Sequence, residues 1–325
     1  MVEHSVHILH RPEADALQAL EEELDPGIRL TLGPDPAPDA DFSILVAGRP
    51  KADDLTASRN LDRLIIPWSG IPPETRELCI KFDHLRVHNL HYNAGATAEM
   101  AAALLLAAAK FLVPMDQALR KGDWRPRYAP NPSFLLEGMA GLILGYGEIG
   151  RRLGCICSAM GMRMRAIRRT RGDDGSLVDV YTPDAFRDLL RETQALMICL
   201  PHTPETDGLI GEDELDLLPR DALLINVARG GIVDEGALFR ALKSGSLAAA
   251  GLDVWYQYPA DEASRSNTSP SRFAFSELEN VVMSPHRGGG WRGAETRRMR
   301  ALADLLNAAA RGEPVRNRVD VIAGY

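Results

Sequence analysis

The chain is poor in the features that mark several protein classes. Its four cysteines, Cys79, Cys155, Cys157 and Cys199, form no Cys-x-x-Cys pair. In a chain of this size they read as reduced thiols in core strands and helices. Cys155 and Cys157 alternate with Ile156 on a predicted helix, so they point to different faces and suit no metal. A basic excess is also lacking: 37 Lys+Arg against 45 Asp+Glu leaves a formal charge of −8, which supports neither a nucleic-acid nor an anionic-membrane partner. The most apolar stretch, Met100–Ala109, is interrupted by Lys110, short of the ~20 residues a membrane span needs. No basic-then-apolar start follows Met1, so a cytoplasmic location is expected. Aromatics are 6%, and no fixed-period repeat or low-complexity tract occurs.

What is present is an ordinary globular composition, 45% apolar and 25% charged over 325 residues. At ~100–200 residues per domain, two domains are expected. Short apolar runs alternate with helix-length polar segments. Candidate strands are Val6–Leu9, Ile28–Leu32, Phe42–Ala47, Leu64–Pro67 and Leu85–Leu90. A long Ala/Leu helix is predicted from about Thr97 to Leu119. A second series follows: Gly141–Gly145, Met162–Ile167, Ala195–Leu200, Leu223–Ala228, Ala249–Val254 and Val281–Ser284. Such runs, rich in Ile, Leu and Val, indicate buried parallel strands of an α/β protein. Turns are marked at Asp25-Pro-Gly, Ile71-Pro-Pro and Leu218-Pro-Arg, and Asp261–Ser271 reads as a polar, mobile loop.

The second series opens with a dinucleotide signal. Gly145, Gly147 and Gly150 form Gly-x-Gly-x-x-Gly after an apolar strand and before a helix that begins with Glu148 and Ile149. The first glycine serves a tight turn and the second lets backbone approach a pyrophosphate. The third allows helix–strand packing, and the helix N-terminus offers N–H donors. An NAD site places an acidic residue at the end of the next strand. Here Met162–Ile167 runs into Arg168, Arg169, Thr170 and Arg171, which suit a 2′-phosphate. Asp173-Asp174-Gly175 reads as the following turn. NADP(H) is the expected cofactor, with NAD as the alternative.

Four later blocks add to this: Cys199-Leu-Pro-His-Thr-Pro-Glu-Thr, Ile225-Asn-Val-Ala-Arg-Gly-Gly-Ile-Val-Asp-Glu, Gly251-Leu-Asp-Val-Trp and Ser284-Pro-His-Arg-Gly-Gly. In this order and spacing, from about Leu64 to Arg300, the chain resembles the D-isomer-specific 2-hydroxyacid dehydrogenases. The resemblance implies a Rossmann domain, residues 94–289, inserted into a smaller flavodoxin-like α/β substrate domain made of 1–93 and 290–325. It also implies a cofactor cleft between the two, with helices near Thr97–Leu119 and after Gly293 crossing between them. It implies a homodimer and a small 2-oxo or 2-hydroxy acid as substrate. Ser69, Gly70 and Ile71 match the glycine turn that holds the substrate carboxylate. Asn93, next to Tyr92, matches an asparagine near substrate and nicotinamide. Arg229 matches the arginine that clamps the carboxylate and polarises the ketone, and His286 matches the general acid. Leu200, Pro201, Thr206, Val227, Ala228 and Gly288 fall on cofactor-lining positions, and Asp253 on the residue that binds the nicotinamide carboxamide. The implied activity is NAD(P)-dependent hydride transfer. The rival is a regulatory or scaffold protein of the same fold with impaired catalysis.

One family member is missing. The glutamate that normally follows Asp253 by five residues and holds the histidine is Tyr258 here. A carboxylate stabilises the imidazolium, whereas a phenol only orients the ring. His286 is therefore expected to be a less stabilised acid, so that reduction falls away at a lower pH as pH rises. Asp261 or Glu262 swinging in from the loop, or Tyr258 touching substrate, are the compensations on offer.

The remaining histidines invite plainer readings. His4, His7 and His10 flank a strand whose period of two separates them, and His84, His88 and His91 lack a carboxylate or cysteine partner set. His91 adjoins Tyr92 and Asn93 and lines the substrate pocket or packs ordinarily. No metal is expected. Arg292, Arg297, Arg298 and Arg300 suit a solvated helix face or interdomain salt bridges.

Overall fold

A computed structural model describes residues 4–37, 40–170 and 177–324. In chain order the first elements are β1 His4–Ile8, α1 Ala14–Glu23, β2 Ile28–Leu32, β3 Ile44–Val46, α2 Ala52–Thr56, β4 Arg63–Ile66, α3 Pro73–Lys81 and β5 Arg86–Asn89. Next come α4 Ala94–Ala109, α5 Leu112–Arg120, α6 Arg125–Tyr128, β6 Ala140–Leu144, α7 Glu148–Ala159, β7 Arg163–Ile167 and β8 Asp179–Tyr181. The last are α8 Phe186–Leu190, β9 Ala195–Ile198, α9 Glu212–Leu217, β10 Leu223–Asn226, α10 Glu235–Ser244, β11 Ala249–Leu252, β12 Val281–Met283 and α11 Ala294–Ala310. Arg171 and the Asp173–Gly175 turn of the sequence reading lie outside the described residues.

The chain divides into two compact units, Met1–Asn93 with Gly290–Tyr325, and Ala94–Gly289. In the first, a five-stranded parallel sheet has the order β2-β1-β3-β4-β5. Both faces are covered. Met299, Leu302 and Leu306 of α11 pack with Val6, Ile44 and Ile65, while Phe42, Leu45, Leu64 and Cys79 fill the other side. On α11, Arg298 pairs with Glu295 and Arg300 with Glu23 of α1.

The second unit holds a seven-stranded parallel sheet, β12-β11-β10-β9-β6-β7-β8. Strand order reverses between β9 and β6, and the loops at the strands' C-terminal ends there are where doubly wound sheets bind ligands. The strands β6, β9 and β10 are wholly buried, as expected when helices cover both faces. The three-residue β8 is the strand the sequence reading lacked, because it is too short and too exposed to make an apolar run.

The long helix predicted over Thr97–Leu119 is two helices. Phe111 adopts a left-handed φ of 50°, and α4 and α5 meet at a 67° bend. Pro114 is the cause: in a continuous helix its ring would clash with the carbonyl of Lys110, so it must lie in the first turn of a new helix. Among the described residues no single helix is long and apolar enough to cross a membrane. Cys79 and Cys157 are buried as expected, but Cys155 is exposed, a correction that follows from the outward face of α7.

Candidate active site

The glycine turn after β6 has the geometry its sequence implies. Gly145 has φ +94°, and a Cβ there would stand 2.8 Å from the backbone of Cys199 and Leu200. A Cβ on Gly150 would meet the Gly145 carbonyl oxygen at 2.3 Å, so α7 can approach the turn only without a side chain. Gly147, at the N-cap of α7, has nothing within 4 Å of such a Cβ. The turn is thus closed on the protein side and open at the end of a twelve-residue helix, a fit for an anionic pyrophosphate. Gly147→Ala is accordingly expected to leave thermal stability unchanged and weaken dinucleotide binding. Gly150→Ala is expected to lose about 1–3 kcal/mol of stability; calorimetric unfolding and dinucleotide titration separate the two.

The other proposed cofactor positions follow the same sheet edge. Glu148 pairs with Arg152 on α7, and Ile149 is half-buried. Arg168, half-buried, and the exposed Arg169 and Thr170 lie just past β7, where the Arg168 N–H donates to the Tyr181 carbonyl. Leu200 and Pro201 follow β9, and Thr206 Oγ1 donates to the Pro201 carbonyl at 2.8 Å and accepts the Thr203 N–H at 2.8 Å. Val227 and Ala228 follow β10.

Arg229 sits on a turn built by its neighbours. The buried Asn226 accepts the Ala228 N–H through Oδ1 at 3.0 Å and donates through Nδ2 to the Arg229 carbonyl at 3.0 Å. Gly230 lets this turn lie directly on the next loop, since a Cβ there would stand 2.4 Å from the Trp255 carbonyl oxygen. The Arg229 side chain is exposed, yet the protein around it desolvates the guanidinium enough to hold its pKa below the ordinary value. Accessibility decides what can reach it, and Arg229 is reachable.

Asp253 and Ser284 each follow the last residue of adjacent strands whose ends, Leu252 and Met283, are in register. Asp253 is 1% exposed. Its carboxylate accepts from Ser284 Oγ at 2.6 Å, the Arg287 N–H at 2.8 Å and the Gly288 N–H at 2.8 Å. Three such bonds satisfy a buried carboxylate. They also brace the loop that holds His286, which has φ +57°, a left-handed conformation that histidine adopts more readily than bulky or β-branched residues. A Cβ on Gly288 would collide with Asp253 Oδ2 at 2.7 Å.

Tyr258 takes the place beside His286. Its hydroxyl lies 3.0 Å from His286 Nδ1 and accepts the Trp255 backbone N–H at 3.1 Å. The Trp255 indole N–H donates to the Ser284 carbonyl at 2.8 Å, which ties the tyrosine loop to the histidine loop. A protonated ring donates Nδ1–H to the phenol oxygen and keeps Nε2–H for a ligand. In the neutral ring the hydroxyl can turn and donate to Nδ1 instead. His286 is exposed, yet desolvation by the surrounding protein, then the nearby Arg229 charge, hold its pKa below the ordinary value, partly opposed by Asp253. Burial raises the Tyr258 pKa, so the phenol stays neutral at physiological pH. Asp261 and Glu262 do not supply the missing carboxylate: Asp261 caps Ser264 and Glu262 pairs with Arg265.

In the first unit, Ser69 and Gly70 follow β4, and Tyr92 and Asn93 follow β5. Asn89 Nδ2 donates to the Ser69 carbonyl at 2.7 Å, and its Oδ1 lies 2.8 Å from His91 Nε2. His91, itself exposed, is thereby tied through Asn89 to the Ser69 turn. Ile71 packs with Trp68 against the core, and Tyr92 meets Trp291 at 5.9 Å between ring centres with the rings tilted by 41°. His7 and His88 are structural, bound to Thr31 Oγ1 and to the Arg316 carbonyl. Among the described residues no His/Cys/Asp/Glu group could hold a metal.

Ser284 and Trp255 were missed as parts of the site by sequence reasoning. The signal was present in the strand register, which sets Asp253 opposite Ser284, but that register appears only once β11 and β12 are known to be neighbours.

Comparison with known proteins fits this geometry. Residues 102–288, more than half of the chain, match the NAD binding domain of D-isomer specific 2-hydroxyacid dehydrogenases. A glyoxylate reductase of Aeropyrum pernix is 40% identical over 232 residues, which cover 69% of this chain and 66% of that protein, just under two thirds of its length. A glycerate dehydrogenase of Methylorubrum extorquens is 30% identical over 69% of this chain and 68% of its own. Over the whole of both chains the fold is similar to that of a D-isomer specific 2-hydroxyacid dehydrogenase of Xanthobacter autotrophicus crystallised with NADPH and MES, with a TM-score of 0.79 and 24% identity. With its glycine turn, its Arg229 turn and its braced His286 loop on one sheet edge, the chain belongs to the D-isomer specific 2-hydroxyacid dehydrogenase family.

Proposed function

We propose that the protein is an NAD(P)-dependent oxidoreductase that moves a hydride between the nicotinamide and a small 2-oxo acid or its D-2-hydroxy acid, with NADP(H) favoured. The observation that carries this reading is the Tyr258–His286 hydrogen bond beside Trp255, against whose carbonyl the Arg229–Gly230 turn packs. These groups lie on the same sheet edge as an open glycine turn. A fold neighbour that carries NADPH in its crystal supports the cofactor, as does the arginine pair after β7.

Gly145, Gly147, Glu148, Ile149 and Gly150 would hold the pyrophosphate, and Arg168, Arg169 and Thr170 the ribose phosphate. Leu200, Pro201, Thr206, Val227 and Ala228 would line the dinucleotide, with Asp253 and Gly288 near the nicotinamide. When bound, the cofactor supplies the hydride. Arg229 grips the acid's carboxylate and draws charge from the ketone, because a planar fork matches a carboxylate. His286, as imidazolium, gives its Nε2 proton to the carbonyl oxygen, and Tyr258 holds the ring by Nδ1. In the oxidative direction the neutral ring takes that proton back. Ser69, Gly70, Ile71, Tyr92 and Asn93 are proposed for substrate binding because they occupy the C-terminal strand ends of the first unit, which is proposed as the substrate domain.

A cytoplasmic homodimer belongs to the same proposal. Leu112, Leu119, Trp124, Tyr128 and Leu135 are 51–81% exposed, an apolar surface suited to a second copy. Light scattering at twice the 35.6 kDa chain mass supports this, and a monomer contradicts it.

The regulator reading is disfavoured by the intact Arg229 turn and the Tyr258–His286 bond. Following nicotinamide absorbance with glyoxylate, hydroxypyruvate or pyruvate tests the enzyme; tight NADPH binding without turnover on any acid contradicts it. Catalytic efficiency is expected to be higher with NADPH than with NADH, and a tenfold preference for NADH would sink the assignment of Arg168 and Arg169.

A further inference from the structure

The five strands of the first unit run in parallel, so their N-terminal ends form one edge, remote in each strand from the ends that carry Ser69 and Tyr92. That edge gathers residues distant in sequence. Ser5 on β1 is registered with Arg29 on β2, and Arg63 on β4 with Arg86 on β5, with Ser43 just before β3. Together with Glu313, beyond the end of α11, they line a cavity of about 520 Å³. That volume is in the range of small-molecule sites.

The three arginines are not equivalent. Arg86 is ion-paired with Asp62. Arg29 is exposed, and its hydrogen bond is a long one, 3.5 Å to Ser5 Oγ. Arg63 is only 8% exposed, and its Nε is buried with no hydrogen-bond partner among the described residues. A buried guanidinium N–H left unbonded is costly, and two arginines in direct register repel each other. Asp62 pairs directly with Arg86 and reaches Arg63 only through its charge, which leaves the buried Arg63 Nε without a bonded partner among the described residues.

The acids around the cavity limit what could offset it. Asp41 accepts from Asn60 Nδ2 at 2.6 Å, and Glu313 faces the same space. With Asp62 these acids equal the three arginines in number, so an anion must be small enough to reach Arg63 and Arg29 without meeting the carboxylates. We propose that this cavity is a binding site for a small oxyanion, a carboxylate or phosphate group, held by Arg63 and Arg29 with the Ser5 and Ser43 hydroxyls in reach. Arg63 supplies the buried donor, and Arg29, at the open side, closes over the ligand. The site is independent of the residues proposed for hydride transfer.

Calorimetric titration of the full chain with inorganic phosphate and, separately, with acetate tests this. At least one anion is expected to bind at one site per chain and to weaken at least about tenfold in both Arg63→Gln and Arg29→Gln, since each removes a charge-assisted donor. Phosphate alone points to a phosphate ester as ligand, and acetate alone to a carboxylic acid. Should Arg63→Gln fail to fold, the exposed Arg29 carries the comparison. No binding of either anion to the wild-type chain at about 10 mM, or binding that Arg29→Gln keeps in full, overturns the proposal.

Discussion

Replacing His286 with asparagine lowers kcat for reduction of a 2-oxo acid by about 10²–10⁴-fold, the range that a positioned general acid contributes. Asparagine is the substitution of choice because the residue has φ +57°, and asparagine adopts that conformation readily. The brace is untouched, since Asp253 bonds Ser284, Arg287 and Gly288 and not the imidazole. The loss is therefore that of the proton donor and not of the loop. KM is expected to change much less than kcat, because the proton moves only in the transition state. Steady-state kinetics with NADPH and glyoxylate read both. A loss of less than tenfold would take His286 out of the chemistry.

Replacing Arg229 with glutamine lowers kcat/KM by about 10²–10³-fold, as expected when one donor to a developing oxyanion is removed. Here the loss is expected in KM as well as kcat, because the guanidinium would hold the carboxylate before and during reaction. Arg229→Lys should recover only a fraction, since an ammonium cannot make the forked contact. The turn itself should survive, as Asn226 bonds the Arg229 backbone and the close contact with Trp255 is made by Gly230. An Arg229→Lys variant with wild-type kinetics would show that charge alone suffices and that the clamp is wrongly assigned.

Much of this was legible in the sequence because it is local. A strand, Gly145-Tyr-Gly and a helix make a dinucleotide turn from neighbouring residues alone, and the Asn226 to Gly230 block does the same for Arg229. The α4–α5 break was also local, written in Pro114, but the Ala/Leu run around it masked the proline. What could not be read depends on strand order. Asp253 reaches Ser284 only because β11 and β12 are neighbours, so its role as the brace of the His286 loop was hidden. Arg29, Arg63 and Arg86 line one cavity only in a sheet ordered β2-β1-β3-β4-β5. Tyr258 lay between: its position was countable from Asp253, while the bond from its hydroxyl to His286 needed coordinates.

The most direct test of the proton-donor account is the pH dependence of reductive kcat/KM, measured for the wild type and for Tyr258→Glu. Reduction requires the imidazolium, and desolvation and Arg229 hold the His286 pKa below 6.5. Activity is therefore expected to be full below that pKa and to fall as pH rises through it, with an alkaline limb below neutrality. A glutamate at 258 places a negative charge against the ring and should move this limb up by roughly one to three pH units. An alkaline limb above neutrality in the wild type, unmoved by Tyr258→Glu, would contradict the account.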